Sequence, residues 1–334
     1  MNKRIITTSV LSVLALAICA QGPNNSGTYY QTADGKKGAE LKTALCQIIY
    51  NRTERTYTNL WTDFRSTDAR PDGKVWDMYS GVTNFTFGTD QDPGSGGNQE
   101  GQYYNREHSF PKSWFGGNVM PMYTDLHHMY PVDKMVNNRR SNNPFGETNG
   151  ESYKSANGFS KLGTCTYPGY TGRVFEPNDE YKGDFARTYF YMVTCYEEKL
   201  PDWYASASND NEVRATIDGN KYPGLSSWQL EMLMKWSEAD PVSQKEIDRN
   251  NAVYEIQANR NPFIDYPGLE RFIWGDKTNQ PFQYAPSSTG ITTYNNGQKQ
   301  RTEIFSLDGS RQHTLQRGIN IVRESKGQVR KVIF

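Results

Sequence analysis

Apolar residues recur at helical spacing in several parts of the chain. Residues 182–199 carry one long apolar stripe, which predicts a buried central helix. Shorter stretches with the same spacing predict helices over residues 38–50, 226–238 and 243–258. Strand-like segments are few and short. The pattern therefore favours an α+β fold that is mostly helical and has long loops.

The segment between residues 103 and 140 has a different pattern. Residues 103–110 have strand character and end at Pro111, and a loop rich in Gly, Asn and Pro follows. Residues 126–130 are predicted to form a second strand, and Pro131 suits the first turn of a helix. The sequence therefore predicts a strand, a loop, a strand and a short helix in this one segment.

The C-terminal residues 299–334 are predicted to form a small β-rich segment. Its strand-like runs are separated by Asp-Gly and Lys-Gly pairs, which are typical of hairpin turns. Residues 287–298 are rich in Ser, Thr, Asn and Gly and predict a linker after a main domain over residues 21–286. This tail resembles the C-terminal sorting tails of proteins exported by the type IX pathway, which implies the secretion machinery as a partner. A small β-module that completes the fold is the alternative.

Residues 1–20 have the composition of a secretory signal peptide. Lys3 and Arg4 precede an apolar run that ends at Ala20, after which cleavage is predicted. Cys19 leaves a lipoprotein as an alternative, although Ile18 stands where a small residue normally precedes a lipidated cysteine. The protein is therefore predicted to be secreted or on the cell surface, with the periplasm as the alternative. No further apolar run predicts a membrane span in the mature form.

Composition and charge limit the classes of function. The 334 residues include 37 Lys and Arg and 37 Asp and Glu, so the net charge is zero. Residues 299–334 hold eight of the basic residues and three of the acidic ones, and residues 21–298 carry a net charge of −7. This balance argues against a protein that coats nucleic acid with its whole surface, and it allows a local basic site.

Three cysteines remain once the predicted signal peptide is removed. These are Cys46, Cys165 and Cys195, and their spacing does not indicate a metal knuckle. An exported protein with three cysteines can form at most one disulfide and then keeps one free thiol. The sequence does not say which cysteines would pair.

Candidate chemistry is concentrated where three of the four histidines lie within 21 residues. Neighbouring strand residues face opposite ways, so Glu107 and His108 serve one site only if the strand ends or bulges there. Glu107 and Asn137 offer the oxygen ligands that a hard divalent cation prefers. His108 suits removal of a proton from an attacking water, and Arg139 or Arg140 suits binding of a phosphate.

The segments 106–111, 125–128 and 136–142 together resemble the secreted endonuclease I family. These proteins are nonspecific nucleases of the ββα-metal, or His-Me finger, class. Further matches lie within residues 182–192 and 256–265, and the resemblance covers roughly residues 38–275. It implies an endonuclease I-like catalytic domain built around a small ββα-metal motif. It also implies DNA and RNA as substrates, without sequence specificity, and 5′-phosphate products.

The resemblance also implies roles for individual residues. By this resemblance His108 is the expected general base. Glu107 and Asn137 are the expected ligands of one divalent ion, Mg²⁺ or alternatively Mn²⁺ or Ca²⁺. Family members with a longer segment after the Glu-His pair place a phosphate-stabilising arginine there, but residues 109–125 contain only Lys112 as a basic residue. The candidates for that role are Arg140 and Arg139, and the candidates for packing or orienting the site are His127 and His128. No stable protein partner is predicted.

Other interpretations remain open at this point. A zinc hydrolase would need three closely arrayed ligands, and the HExxH spacing does not occur in the sequence. A secreted adhesin or glycan-binding protein would also have a signal peptide, polar loops and many aromatic residues, but it would not need the 105–142 segment. Asn137 could instead cap a helix. Residues 259–265 are interpreted as a structural turn that braces the core.

Overall fold

The computed structural model describes residues 22–208 and 212–284, and four strands of the C-terminal segment. The chain divides into two compact units, Met1–Pro286 and Ser287–Phe334. The predicted signal peptide and the predicted linker lie outside the described residues. No helix of the described residues is long and apolar enough to cross a membrane.

The first unit contains both helices and strands. Its α-helices are α1 (Gly38–Ile49), α2 (Leu60–Thr67), α3 (Lys134–Arg140), α4 (Lys182–Cys195), α5 (Leu200–Ser206), α6 (Glu212–Thr216), α7 (Ser227–Ala239), α8 (Gln244–Gln257), α9 (Pro262–Asp265) and α10 (Leu269–Ile273). Its strands are β1 (Tyr104–His108), β2 (Met129–Asp133), β3 (Tyr153–Lys154), β4 (Lys161–Thr164) and β5 (Arg173–Glu176). Short 3₁₀ helices are at Gln31–Ala33, Lys112–Phe115, Met122–Thr124, Ala156–Gly158, Asp179–Tyr181 and Glu197–Lys199. This mixture confirms the predicted α+β class.

The strands form small antiparallel sheets. β1 pairs with β2, and β3, β4 and β5 follow one another in a three-stranded sheet. In the second unit, β6 (Glu303–Phe305), β7 (Arg311–Gln312), β8 (Ile319–Arg323) and β9 (Val329–Ile333) form a sheet in the order β7-β6-β8-β9. β6, β8 and β9 lie within the segments for which the sequence predicts strands.

Helix α4 is the centre of the main core. Every residue from 183 to 195 is buried, and α4 packs against α1 and α7. The predicted apolar stripe forms one side of α4, and its other side carries Arg187, whose guanidinium donates two hydrogen bonds to Glu246 at 2.6 and 2.9 Å. Because a buried charge is costly without a partner, this ion pair allows α4 to be enclosed on all sides.

A second apolar cluster supports β1 and β2. It consists of residues from α2, the segment between α2 and β1, the two strands, the turn before β2 and α8, namely Leu60, Phe64, Val75, Phe85, Phe87, Tyr104, Leu126, Met129 and Val253. Arg249 of α8 pairs with Asp68 and donates hydrogen bonds to the carbonyl oxygens of Leu126 and Met129 at 2.9 and 2.7 Å. α8 therefore fixes the chain just before β2 begins.

Hydrogen bonds and an ion pair connect the segment from Asn259 to Asp265, which includes α9, to the core. Asn259 donates hydrogen bonds to the carbonyl of Ile49 and the hydroxyl of Tyr191, both at 2.8 Å. Arg260 forms a buried ion pair with Asp265. Asn261 caps α9 by accepting the backbone N–H of Phe263.

Cys46, Cys165 and Cys195 are all free thiols in buried positions. Burial raises the pKa of Cys46 to about 12 and that of Cys195 to about 11. The thiols therefore stay protonated near neutral pH and pack as small apolar side chains.

Candidate active site

Strand β1 ends at His108, so Glu107 and His108 are its last two residues. The register pairs Tyr104 with Asp133 and His108 with Met129, one residue opposite one residue, so the strand ends without a bulge. Glu107 and His108 face different sides, as the alternation of a strand requires. The two side chains accordingly contact different sets of residues.

The prediction of the second strand is wrong in position. Residues 126–128 form a turn, and β2 runs from Met129 to Asp133 with Pro131 paired to Arg106. A proline is tolerated because β2 has only one strand partner, so its missing N–H leaves no ladder bond unmade. The helix begins after Asp133, whose carboxylate accepts the backbone N–H of Val136 at 2.9 Å as an N-cap.

The carboxylate of Glu107 is buried, and one of its oxygens accepts two hydrogen bonds. Oε1 accepts a 2.8 Å hydrogen bond from the hydroxyl of Tyr79 and an ion-pair hydrogen bond from Arg140. Burial raises the pKa of Tyr79 well above its usual value, so this phenol stays a donor. No hydrogen bond to Oε2 is present among the described residues, which leaves that oxygen as an acceptor.

Arg140 is completely buried, which sequence reasoning did not anticipate. Its guanidinium donates to Glu107, to the carbonyls of His108 and Ser109 at 3.1 and 2.7 Å, and to the Tyr189 hydroxyl at 3.3 Å. These donors face the interior, and Arg140 in this position does not extend towards a phosphate in solvent. Its neighbour Arg139 is exposed on the last turn of α3.

Asn137 faces the same side of β1 as Glu107. Its Nδ2 donates a 2.9 Å hydrogen bond to Oδ1 of Asn105, two residues before Glu107. Since the amide nitrogen is committed to Asn105, the amide oxygen of Asn137 remains as an acceptor. One carboxylate and one amide oxygen form a donor set that fits a hard divalent cation that retains several waters. No group of three or more His, Cys, Asp or Glu suited to a metal occurs among the described residues.

His108 has a defined tautomer. Its Nε2 lies 3.0 Å from the carbonyl oxygen of Tyr123, and because a carbonyl only accepts, Nε2 carries the proton and Nδ1 is left as the acceptor. The imidazole stacks on Tyr123 at 5.2 Å between ring centroids. Burial lowers the pKa of His108 well below its usual value, and the charges of His128, Lys112 and Arg106 lower it further. The imidazole is therefore neutral near neutral pH.

His127 and His128 lie in the turn before β2, not on a strand. His127 Nε2 lies 3.2 Å from the carbonyl of Asn259, and burial lowers its pKa to about 3. His128 Nε2 lies 2.7 Å from the carbonyl of Met122, and its ring centroid is 5.6 Å from that of His108. His128 thus packs beside His108, whereas His127 joins this turn to the segment after α8.

Asp125 anchors the same turn and was not singled out as a functional residue from the sequence. Its buried carboxylate pairs with Arg52 and accepts hydrogen bonds from three side chains at 2.8 Å, from Tyr191, Tyr196 and Gln257. The positive charge of Arg52 outweighs burial and holds the pKa of Asp125 below its usual value. These donors come from distant parts of the chain, so no local sequence signal indicated them.

Comparison with known proteins finds a matching family and similar extracellular ribonucleases. The model of the Endonuclease I family matches residues 37–268. The extracellular ribonuclease of Bacillus amyloliquefaciens is 38% identical over 252 residues, which cover 74% of this chain and 78% of the relative. The extracellular ribonuclease of Bacillus subtilis (strain 168) is 36% identical over 270 residues, or 79% and 84% of the two chains.

A more distant relative is named for action on DNA. An extracellular deoxyribonuclease of Aeromonas hydrophila is 25% identical over 143 residues, which cover 42% of this chain and 49% of the relative. The family match includes Glu107, His108 and Asn137. An adhesin without catalysis is therefore not supported, and the chain belongs to the Endonuclease I family and is a nuclease.

Proposed function

We propose that the protein is an extracellular, metal-dependent endonuclease that hydrolyses DNA and RNA without sequence specificity. The observation that carries this proposal is the arrangement at the end of β1. Glu107 and His108 are the last two residues of β1, so the acceptor Nδ1 of neutral His108 is available on one side of the strand end and the oxygens of Glu107 and Asn137 on the other. The antiparallel β1–β2 pair and α3 would then form a ββα-metal motif.

In the proposed reaction, His108 Nδ1 takes a proton from a water that attacks phosphorus in line. The bond from the water oxygen to phosphorus forms as the bond from phosphorus to the 3′-oxygen breaks, which leaves a 5′-phosphate. The 3′-oxygen takes a proton from solvent water to become the 3′-hydroxyl, and His108 returns its proton to solvent. Glu107 and Asn137 would hold one divalent ion, Mg²⁺ or alternatively Mn²⁺ or Ca²⁺, which when bound supplies charge stabilisation to the phosphate and the leaving oxygen. The Tyr123 carbonyl keeps the imidazole in the tautomer that can accept the proton.

The surrounding residues receive supporting roles. Arg140 and Tyr79 orient the Glu107 carboxylate, and Arg139 remains the exposed candidate on α3 for a phosphate contact. His128 packs against the base, and His127 positions the turn that leads into β2. Removing supporting residues of this kind typically costs about 10- to 100-fold in metal affinity or activity.

The substrate range and the location rest on the relatives and on the sequence. Two relatives are named ribonucleases and another is named a deoxyribonuclease, which supports action on both nucleic acids. Recognition through the sugar–phosphate backbone suits such a range. The names of these relatives and the predicted signal peptide over residues 1–20 support export, and the C-terminal segment is proposed to address the type IX machinery.

Digestion of plasmid DNA and of total RNA by the purified mature protein tests this proposal. Activity with Mg²⁺ is expected, with loss in EDTA and a reduction of about 10²- to 10⁴-fold in His108→Ala. His313→Ala, which removes the remaining histidine from the C-terminal segment, is the matched control and should cleave normally. Cleavage by His108→Ala at the wild-type rate would exclude His108 as the base, and full activity in EDTA would exclude the metal.

A further inference from the structure

Arg106 is a cation without a carboxylate partner beside the candidate base. The buried arginines of the core form ion pairs, as Arg140, Arg187 and Arg249 do with their carboxylates. No ion pair of the described residues includes Arg106, although its side chain is partly buried. The Nε of Arg106 is buried and has no hydrogen-bond partner among the described residues. A partly desolvated charge of this kind is stabilised when an anion binds.

Two aromatic rings hold the guanidinium of Arg106 in place. Its Cζ lies 3.5 Å from the ring centroid of Tyr57 and 4.1 Å from that of Trp61. One Nη donates a 2.7 Å hydrogen bond to the carbonyl of Tyr57. Stacking fixes the plane of the guanidinium and leaves its remaining N–H groups at the edge, the geometry in which arginine binds phosphate through paired hydrogen bonds.

The position of Arg106 connects it to the reaction. It lies two residues before His108 on β1, so both side chains face the same side of the strand. The Tyr57 ring that carries the guanidinium also stacks with His108, at 6.0 Å between centroids, and with Tyr123 at 4.5 Å. The ammonium of exposed Lys112 lies 5.3 Å from the ring centroid of Tyr123. Two cations and two tyrosines therefore border the imidazole.

We propose that Arg106 binds a backbone phosphate of the substrate strand, next to the phosphate that is hydrolysed. The inference rests on the proposed function of the site. Residues two apart on a strand are separated by about 6.7 Å, which is comparable to the spacing of successive phosphates along a nucleic-acid strand. Since the contact is to the backbone, it acts on DNA and RNA of any sequence. Arg106 also adds a cation near the site, where residues 109–125 offer only Lys112.

Binding measured in the His108→Ala background, where cleavage is suppressed, tests the inference. Fluorescence anisotropy with a short labelled DNA and the matching RNA gives Kd over a range of salt concentrations. Arg106→Gln, which keeps most of the packing and removes the charge, should weaken binding of both by about tenfold at low salt. It should also reduce the slope of log Kd against log salt by about 0.7 to 0.9, the value for one lost phosphate contact. Arg106→Lys should keep the slope and recover part of the affinity.

Arg65→Gln is the matched control, because Arg65 is an exposed arginine that also stacks on an aromatic ring, 5.6 Å from the centroid of Phe87. It should leave Kd and the salt slope unchanged. With His108 intact, Arg106→Gln should raise KM about tenfold and change kcat by less than about threefold. An unchanged Kd and slope, or a loss of kcat with KM unchanged, would overturn the inference. Failure of the wild type to cleave nucleic acid would instead refute the proposed function.

Discussion

The guanidinium of Arg140 and the carboxylate of Glu107 form a buried ion pair that joins the end of α3 to the end of β1. The same guanidinium binds the carbonyl oxygens of His108 and Ser109, so it also holds the backbone at the strand end. One side chain therefore fixes the direction of the Glu107 carboxylate and the point at which the strand stops. This geometry favours a positioning role for Arg140.

Replacement of Arg140 by methionine should lower stability strongly. The variant leaves Glu107 buried without its cation, and removal of one partner from such a pair typically costs about 3–5 kcal/mol. Urea unfolding followed by fluorescence measures the change. Arg139→Met, one residue earlier and exposed, should stay within about 0.5 kcal/mol of wild type. Wild-type stability of Arg140→Met together with weakened nucleic-acid binding would instead support direct phosphate binding.

Asn137→Ala should impair metal use more than folding. Asn137 is partly exposed, and its described side-chain hydrogen bond is the one to Asn105, so its loss costs about 1 kcal/mol of stability. The Mg²⁺ concentration that gives half-maximal activity should rise at least tenfold. The adjacent Asn138→Ala, at an exposed position, is the control for helix propensity. Equal Mg²⁺ requirements in the two variants, with a large fall in melting temperature for Asn137→Ala alone, would make Asn137 structural.

The buried histidines should make the protein less stable as pH falls. Burial lowers the pKa of His127 to about 3, whereas an unfolded histidine titrates near 6.5. Between these values the unfolded chain binds more protons, so the free energy of unfolding falls as pH decreases through this window. Burial also lowers the pKa of His108 and His128, so both act in the same direction.

The contribution of His127 can be separated by substitution. In His127→Gln, the slope of the unfolding free energy against pH should decrease by up to about 1.4 kcal/mol per pH unit, the value for one proton. Urea unfolding between about pH 7 and pH 4 measures this slope. Asp125, whose pKa is held below its usual value, adds acid sensitivity below about pH 5, so the contribution of His127 is clearest between about pH 7 and pH 5. A slope identical to that of wild type would show that His127 is protonated in the folded state.

Asp125→Asn should destabilise the chain although it barely changes volume. The amide carries no charge to pair with the buried Arg52. In either orientation its NH2 group meets donors, the hydroxyls of Tyr191 and Tyr196 on one side or the Nε2 of Gln257 on the other. A loss of about 3–5 kcal/mol is expected in chemical unfolding. Asp202→Asn at an exposed position on α5 serves as the control. A loss below about 1 kcal/mol would show that the carboxylate is not ionised in the fold.

Local patterns predicted the four longest helices, α1, α4, α7 and α8, but not the shorter α2, α5, α6, α9 and α10. The bounds of α1, α7 and α8 differ from the predicted ranges by one residue at most, because amphipathic spacing and capping residues are local signals. The predicted strand end near Pro111 is also found, since β1 stops at His108 without a bulge. For α4 the sequence indicated one buried stripe, but the helix is enclosed on all sides because Glu246 compensates Arg187 from another helix.

Long-range partners account for what the sequence did not reveal. The turn at residues 126–128 is held by donors to Asp125 that lie 66 to 132 positions further along the chain. Arg140 follows another arginine at a helix end, a local pattern that is typical of an exposed position. Its burial depends on Tyr189, which lies 49 positions away, and on the carboxylate of Glu107. The stacking of Arg106 likewise requires the ring of Tyr57, which only the fold brings to β1.

Glu107 and His108 are consecutive residues at the end of one strand. The separation of their functional groups is thus set by bond lengths and two side-chain rotamers, and not by the relative position of two packed elements. Small shifts between helices or loops cannot change that separation without rotating a peptide unit. Substitutions that weaken the distant core should therefore reduce the fraction of folded molecules, while each molecule that remains folded keeps its rate of turnover.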